Sequence, residues 1–159
     1  MSTDRARRVE VPSDLPSDPD PAGAHYTSAF ELPTSTARSW TPEQWARAVF
    51  EGAPLALRGV LLTGWTAVPR LRLGPRPSPK HILGWPIAAA DADSITVTAR
   101  SRLITAHNIV LVRDASVVWT TVVRFERPIM RPIRGAAAPI HHLTIPWLLH
   151  RARRDAPPA

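Results

Sequence analysis

The chain has 159 residues, enough for one domain that buries most of its apolar surface without covalent staples. It contains no cysteine, which excludes disulfides, thiolate catalysis and cysteine-ligated zinc. The net charge of +7 rests on 19 arginines and the single Lys80, scattered over strands, loops and the C-terminus rather than gathered on one groove with stacking aromatics, so nucleic acid is not an expected partner.

Residues 1–23 are polar and rich in proline, with almost no large apolar side chains, and are expected to form a disordered tail ahead of one domain spanning 24–154. Their basic start lacks the apolar stretch of a signal peptide, and no window reaches the roughly 20 apolar residues of a membrane span. A cytoplasmic location is expected. From His25 to Leu32, alternation of Tyr26, Ser28 and Phe30 with Thr27, Ala29 and Glu31 predicts a strand.

Thr41-Pro42-Glu43-Gln44 carries the marks of a helix start: a capping threonine, proline at the first turn, and glutamine placed for a capping box. Trp45, Ala48, Val49 and Ala53 follow near helical spacing. After the break at Gly52-Ala53-Pro54, Leu57, Val60, Leu61 and Trp65 give a second helix an apolar stripe. Residues 68–80, with Pro69, Pro75, Pro77 and Pro79, predict a long loop. His81 to Ala88 returns to strand character, and Ala90-Asp-Ala-Asp93 predicts a turn in which Asp91 and Asp93 serve the backbone.

The strongest pattern runs from Ser94 to Glu126. Ile95, Val97 and Ala99 alternate with Thr96, Thr98 and Arg100, and Val117, Trp119, Thr121, Val123 and Phe125 alternate with Val118, Thr120, Val122 and Arg124. With Asn108-Ile-Val-Leu-Val112 between them, this predicts an antiparallel meander with turns at 105–107 and 114–115. Beyond Pro128 the period changes again. A terminal helix is expected after Gly135, disturbed by Pro146, with Ile140, Leu143 and Trp147 as the stripe lying on the sheet. The order predicts an α+β fold: a curved antiparallel sheet with one wet face, two short helices after the first strand, and a long C-terminal helix across the other face.

Two blocks carry a likeness to known proteins, Trp40-Thr-Pro-Glu-Gln-Trp-Ala-Arg-Ala-Val-Phe-Glu-Gly-Ala-Pro54 and Pro139-Ile-His-His-Leu-Thr-Ile-Pro-Trp-Leu-Leu-His-Arg-Ala152. With the strands between them, they resemble the helix-grip group of START, Bet v 1-like and polyketide-cyclase-like domains. The resemblance is to an uncharacterised bacterial family there, found alone or fused to NAD(P)-binding reductase domains. It implies an apolar pocket for a hydrophobic or amphipathic small molecule and carries over no reaction.

The residues themselves spell out no chemistry. There is no nucleophile elbow and no phosphate loop, so no cofactor is expected. His141 and His142 are adjacent and point about 100° apart on a helix, which does not suit one metal. The candidate ligand-binding residues are Trp85, Trp119 and Thr121 on the strands of a cavity floor, Arg100 as an anchor for an anionic group, and His141 and Trp147 on the terminal helix. Two alternatives stand beside small-molecule binding. One is a cyclase- or isomerase-type enzyme using a pocket histidine and arginine. The other is a non-catalytic module whose basic terminal helix contacts an anionic membrane or a protein partner.

Overall fold

The computed structural model describes residues 5–16 and 19–159. Seven antiparallel strands form one curved, unclosed sheet in the order β1-β2-β7-β6-β5-β4-β3. They are β1 (Arg7–Val9), β2 (Tyr26–Pro33), β3 (His81–Ile82), β4 (Trp85–Ala90), β5 (Ser94–Arg100), β6 (Ile104–Val112) and β7 (Ser116–Phe125). Helices α1 (Pro42–Phe50) and α2 (Leu55–Ala67) follow β2, and α3 (Ile133–Asp155) ends the fold. This is the α+β helix-grip layout.

The central strands form where β-branched residues alternate. Register pairs such as Asn108↔Thr121, Val110↔Trp119 and Thr98↔His107 set which side chains share a face. The expected turn at 114–115 is present, closed by Arg113 N–H on the Ser116 carbonyl at 2.8 Å. The expected turn at 105–107 is not: Thr105, Ala106 and His107 lie inside β6, and the chain reverses at residues 101–103 instead. Ser101 Oγ makes that turn by accepting the amides of Leu103 and Ile104 at 3.0 and 3.1 Å. Residues 81–88 are a second correction. They form a hairpin rather than one strand, because Leu83 (φ +46) and Gly84 (φ +88) take left-handed backbone between the paired Ile82 and Trp85.

Helix α1 starts as the sequence predicts, with Thr41 accepting from Gln44 N–H and the Gln44 side chain accepting from Thr41 N–H. Such a cap contributes about 1 kcal/mol. Its buried face holds Trp45, Ala46, Val49 and Phe50 against the sheet, and the Trp45 indole donates to the Ala37 carbonyl at 2.8 Å. On its other side Arg47 pairs with Glu43 and Glu51. The same guanidinium donates to the carbonyls of Ser78, Pro79 and His81, tying the proline-rich loop to the helix.

The expected tail needs correcting where it is described; residues 1–4, 17 and 18 lie outside the described residues. Arg7, Arg8 and Val9 pair with Glu31, Phe30 and Ala29, so β1 is the edge strand beside β2. The Arg7 guanidinium, 2.9 Å away, holds the Glu31 carboxyl below its ordinary pKa. Val9 and Leu15 pack on Ala29, Leu111 and Val118, which face away from the helices. Ala6 N–H donates to His150 Nε2 at 3.0 Å, and Arg113 pairs with Asp14 at 2.8 Å. The middle of the outer face of the sheet is therefore not wet, although Arg100 and Arg124 are exposed at one end of it. Thr96, Ile109, Val118, Thr120 and Val122 on that face are all buried.

The terminal helix also differs from expectation. Among the described residues Ile145, Leu148, Leu149 and Ala152 are its buried ones, whereas Ile140, Leu143 and Trp147 stand 60%, 77% and 49% exposed. Apolar side chains occur on several sides of this helix, so their spacing alone does not select the packed one.

Candidate functional site

Between the inner face of the sheet and the helices lies a pocket of about 380 Å³. Its floor comes from inward-pointing residues of four strands: Tyr26 on β2, Trp85 on β4, Ala106 and Asn108 on β6, and Thr121 and Val123 on β7. Strand periodicity puts them there, because alternate residues of paired strands share a face. Phe50 of α1 and Trp65 of α2 close one side; Ile140, His141, Thr144, Ile145 and Leu148 of α3 close the other. Phe50 lies at the centre of an aromatic cluster, in edge contact with Trp65 and Trp119 at 5.1 and 4.9 Å between ring centroids. Trp65 in turn meets Trp85 at 5.3 Å.

The polar groups of the floor fall into two sets. Asn108 Oδ1 accepts from Trp119 Nε1 at 3.1 Å and from Thr121 Oγ1 at 2.8 Å. An indole N–H only donates, so the carboxamide oxygen must face Trp119, which leaves the Asn108 amino group as its remaining donor. The second set has no partner within the protein: Tyr26 OH, Trp85 Nε1 and His141 Nδ1 are all buried and unpaired. Each such group costs about 1–3 kcal/mol relative to a hydrogen-bonded one.

His141 sits edge-on to the Tyr26 ring, 5.6 Å between centroids. Burial, with a smaller contribution from His142, pushes its pKa below the ordinary histidine value and keeps the ring neutral at neutral pH. His142 points elsewhere, toward Phe30. No arginine, lysine, aspartate or glutamate lines the pocket among the described residues. Nor do three or more histidine, aspartate or glutamate side chains gather into a metal-binding group there.

Of the six candidates read from the sequence, the structure brings Trp85, Thr121 and His141 together on the pocket wall. Trp119 lies behind it, 1% exposed, holding Asn108 rather than facing the space. Arg100 is exposed at the end of β5, in register with Thr105 on the outer side of the sheet, so it anchors nothing in the pocket. Trp147 is half-exposed beneath the Arg151 guanidinium, 5.9 Å from the ring centroid. The sequence reading missed Tyr26 and Asn108. Asn108 had a signal in register, as the one polar residue on the otherwise apolar inward face of β6; Tyr26 had none, since Ser28 shares its face.

A second depression, near Arg38, Asp91, Asp93 and Arg113, is polar and internally matched. Arg38 bridges Asp93 and Asp114 at 2.6 and 3.3 Å. Asp91 accepts the amides of Asp93 and Ser94, which hold its carboxyl below the ordinary range. This is the turn chemistry expected from the sequence.

Comparison with protein-family models, curated proteins and solved structures returns no match. Among the described residues no helix is long and apolar enough to cross a membrane.

Proposed function

We propose that this chain binds a hydrophobic or amphipathic small molecule in the pocket between the sheet and α3, as a member of the helix-grip group. The observation that carries the reading is the apolar pocket of about 380 Å³ itself, three of whose lining residues, Tyr26, Trp85 and His141, also carry a buried polar atom without a partner. A bound molecule with neutral hydrogen-bonding groups would satisfy those atoms once their side chains turn toward it, and the volume suits a small ligand. With no charged side chain in the lining among the described residues, the favoured ligand is mostly hydrocarbon and bears a hydroxyl, ketone or phenol rather than a carboxylate.

Displacement of a neutral fluorescent dye tests this. A long-chain alcohol is expected to displace the dye at least about tenfold better than the fatty acid of equal length at pH 8, because the ionised acid must leave water without a counter-charge. Native mass spectrometry of the protein taken from its own cells is expected to retain a neutral ligand. Absence of dye binding, or a preference for the carboxylate, would sink the proposal.

One observation keeps the enzymatic alternative in play. Tyr26 and His141, a phenol beside a neutral imidazole, are the acid and base that an isomerisation next to a carbonyl needs. Among the described residues no arginine lines the pocket beside His141, so the observation supports the histidine part of that scheme.

A further inference from the structure

The exposed apolar side chains of this protein are not spread over its surface. All seven large ones among the described residues, Leu55, Val60, Val68, Ile129, Ile140, Leu143 and Trp147, fall on α2 and the residue after it, or on the approach to α3 and its exposed side. Three of them, Val60, Val68 and Ile140, also line the pocket, so the apolar surface and the pocket mouth are continuous.

Charge segregates onto the same two stretches. Residues 55–80 and 127–154 hold 11 of the 20 basic residues and none of the 13 acids, although Glu126 and Asp155 flank the second stretch. Arg70 and Arg131 follow the pocket-lining Pro69 and Met130 directly and are exposed, and Arg151 lies over the Trp147 ring.

We infer that this mouth docks on an anionic lipid bilayer, with Leu143 and Trp147 entering the headgroup boundary and the arginines on lipid phosphates. Exposed aliphatic and tryptophan side chains bordered by arginine match an interface that is apolar below and negative above. A second copy of the chain fits worse, because it would set two acid-free, arginine-rich surfaces against each other. The choice of a bilayer over an acidic protein rests on the small-molecule reading of the pocket: a hydrophobic ligand is stored in membrane, and a mouth lying on it exchanges ligand without crossing water.

The test uses the full chain with vesicles of phosphatidylcholine alone and of an equimolar mixture with phosphatidylglycerol. Flotation is expected to show at least about tenfold stronger association with the anionic vesicles, weakening as salt is raised. The double variant Leu143→Glu/Trp147→Glu is expected to lose that association about tenfold or more while still folding cooperatively, at a lowered midpoint, and keeping dye binding. Without any substitution, dibrominated phosphatidylcholine mixed with phosphatidylglycerol is expected to quench the parent's tryptophan emission. Equal association with both vesicle types, or an unchanged double variant, would overturn the inference. So would a dimer, or an acidic protein complex, that the variant abolishes while the parent ignores vesicles. Dye titration in vesicle-free buffer separates the two proposals. A parent that binds dye but not vesicles refutes docking alone, and one that binds vesicles but not dye refutes the ligand reading alone.

Discussion

Two leucines on one helix offer the sharpest measure of how α3 is seated. Leu149 is 0% exposed and Leu143 is 77% exposed, and six residues of helix separate them by about 120° of rotation. Leu149→Ala removes fully packed methyl groups and opens a cavity, at a cost of about 3 kcal/mol within the usual 2–5 range. Leu143→Ala removes a side chain with roughly a quarter of its surface covered. Full burial of a leucine is worth about 1.5–3 kcal/mol, so the loss is about 0.5 kcal/mol, partly offset by alanine's higher helix propensity. Trp147, half-exposed under Arg151, falls between them. With a urea slope of about 2 kcal/mol per molar for a domain of this size, Leu149→Ala is expected to lower the unfolding midpoint by about 1.5 M and Leu143→Ala by no more than about 0.3 M. Equal costs for the two leucines would mean that α3 is rotated on the sheet, and the pocket wall formed by His141 and Ile145 would fall with it.

Two further outcomes follow from the packing. Deleting residues 1–16 strips the cover from Ala29, Leu111 and Val118 and removes β1, so it is expected to cost about 2 kcal/mol and lower the urea midpoint by about 1 M; an unchanged midpoint would show that this segment contributes nothing to the outer face. The pKa values of His141 and His150 both lie below the ordinary 6.5, each chiefly through burial, so the unfolded chain takes up protons on them before the folded one does. Their contribution is complete above pH 6.5 and is lost as pH falls toward their folded values. The urea midpoint is therefore expected to drop on acidification through that window, and to drop less in His150→Gln; a midpoint that rises would contradict the burial of both rings.

The sheet was legible because Val, Ile and Thr alternate so regularly from Ser94 onward, and α1 because its capping residues are chemically explicit. What failed has identifiable causes. The turn at 101–103 has no glycine or asparagine, and a serine hydroxyl makes it instead. Gly84 inside an apolar run did signal the β3–β4 reversal, but its neighbour Leu83 sharing the left-handed backbone did not. The covered middle of the outer face was also written in the strands: Thr96, Thr98, Ile109, Val118, Thr120 and Val122 place no charge there, and Arg100 and Arg124 stand only at its end. In the site, Trp85, Thr121 and His141 were readable from strand register and helix position. Tyr26 was not, because its role depends on α3, more than a hundred residues away, lying over it.

The two faces of the sheet are closed in different ways, and that difference locates the opening. On the outer face the chain's own N-terminal segment lies against the strands, tied by the β1 ladder, the Asp14–Arg113 pair and the amide of Ala6 on His150. On the inner face α1 is seated by the buried Trp45, Ala46, Val49 and Phe50, with Pro42 also buried, and the last half of α3 by Ile145, Leu148, Leu149 and Ala152. Helix α2 has no buried residue at all, although Leu57, Leu61 and Trp65 touch the core, and the first half of α3 presents Ile140 and Leu143 to solvent. Elements with little buried apolar surface open at low cost compared with those around them. The easiest way into the pocket therefore lies between α2 and the first half of α3. That is the stretch where exposed apolar side chains and arginines coincide, so the weakest wall of the pocket and the surface inferred to meet the bilayer are one region.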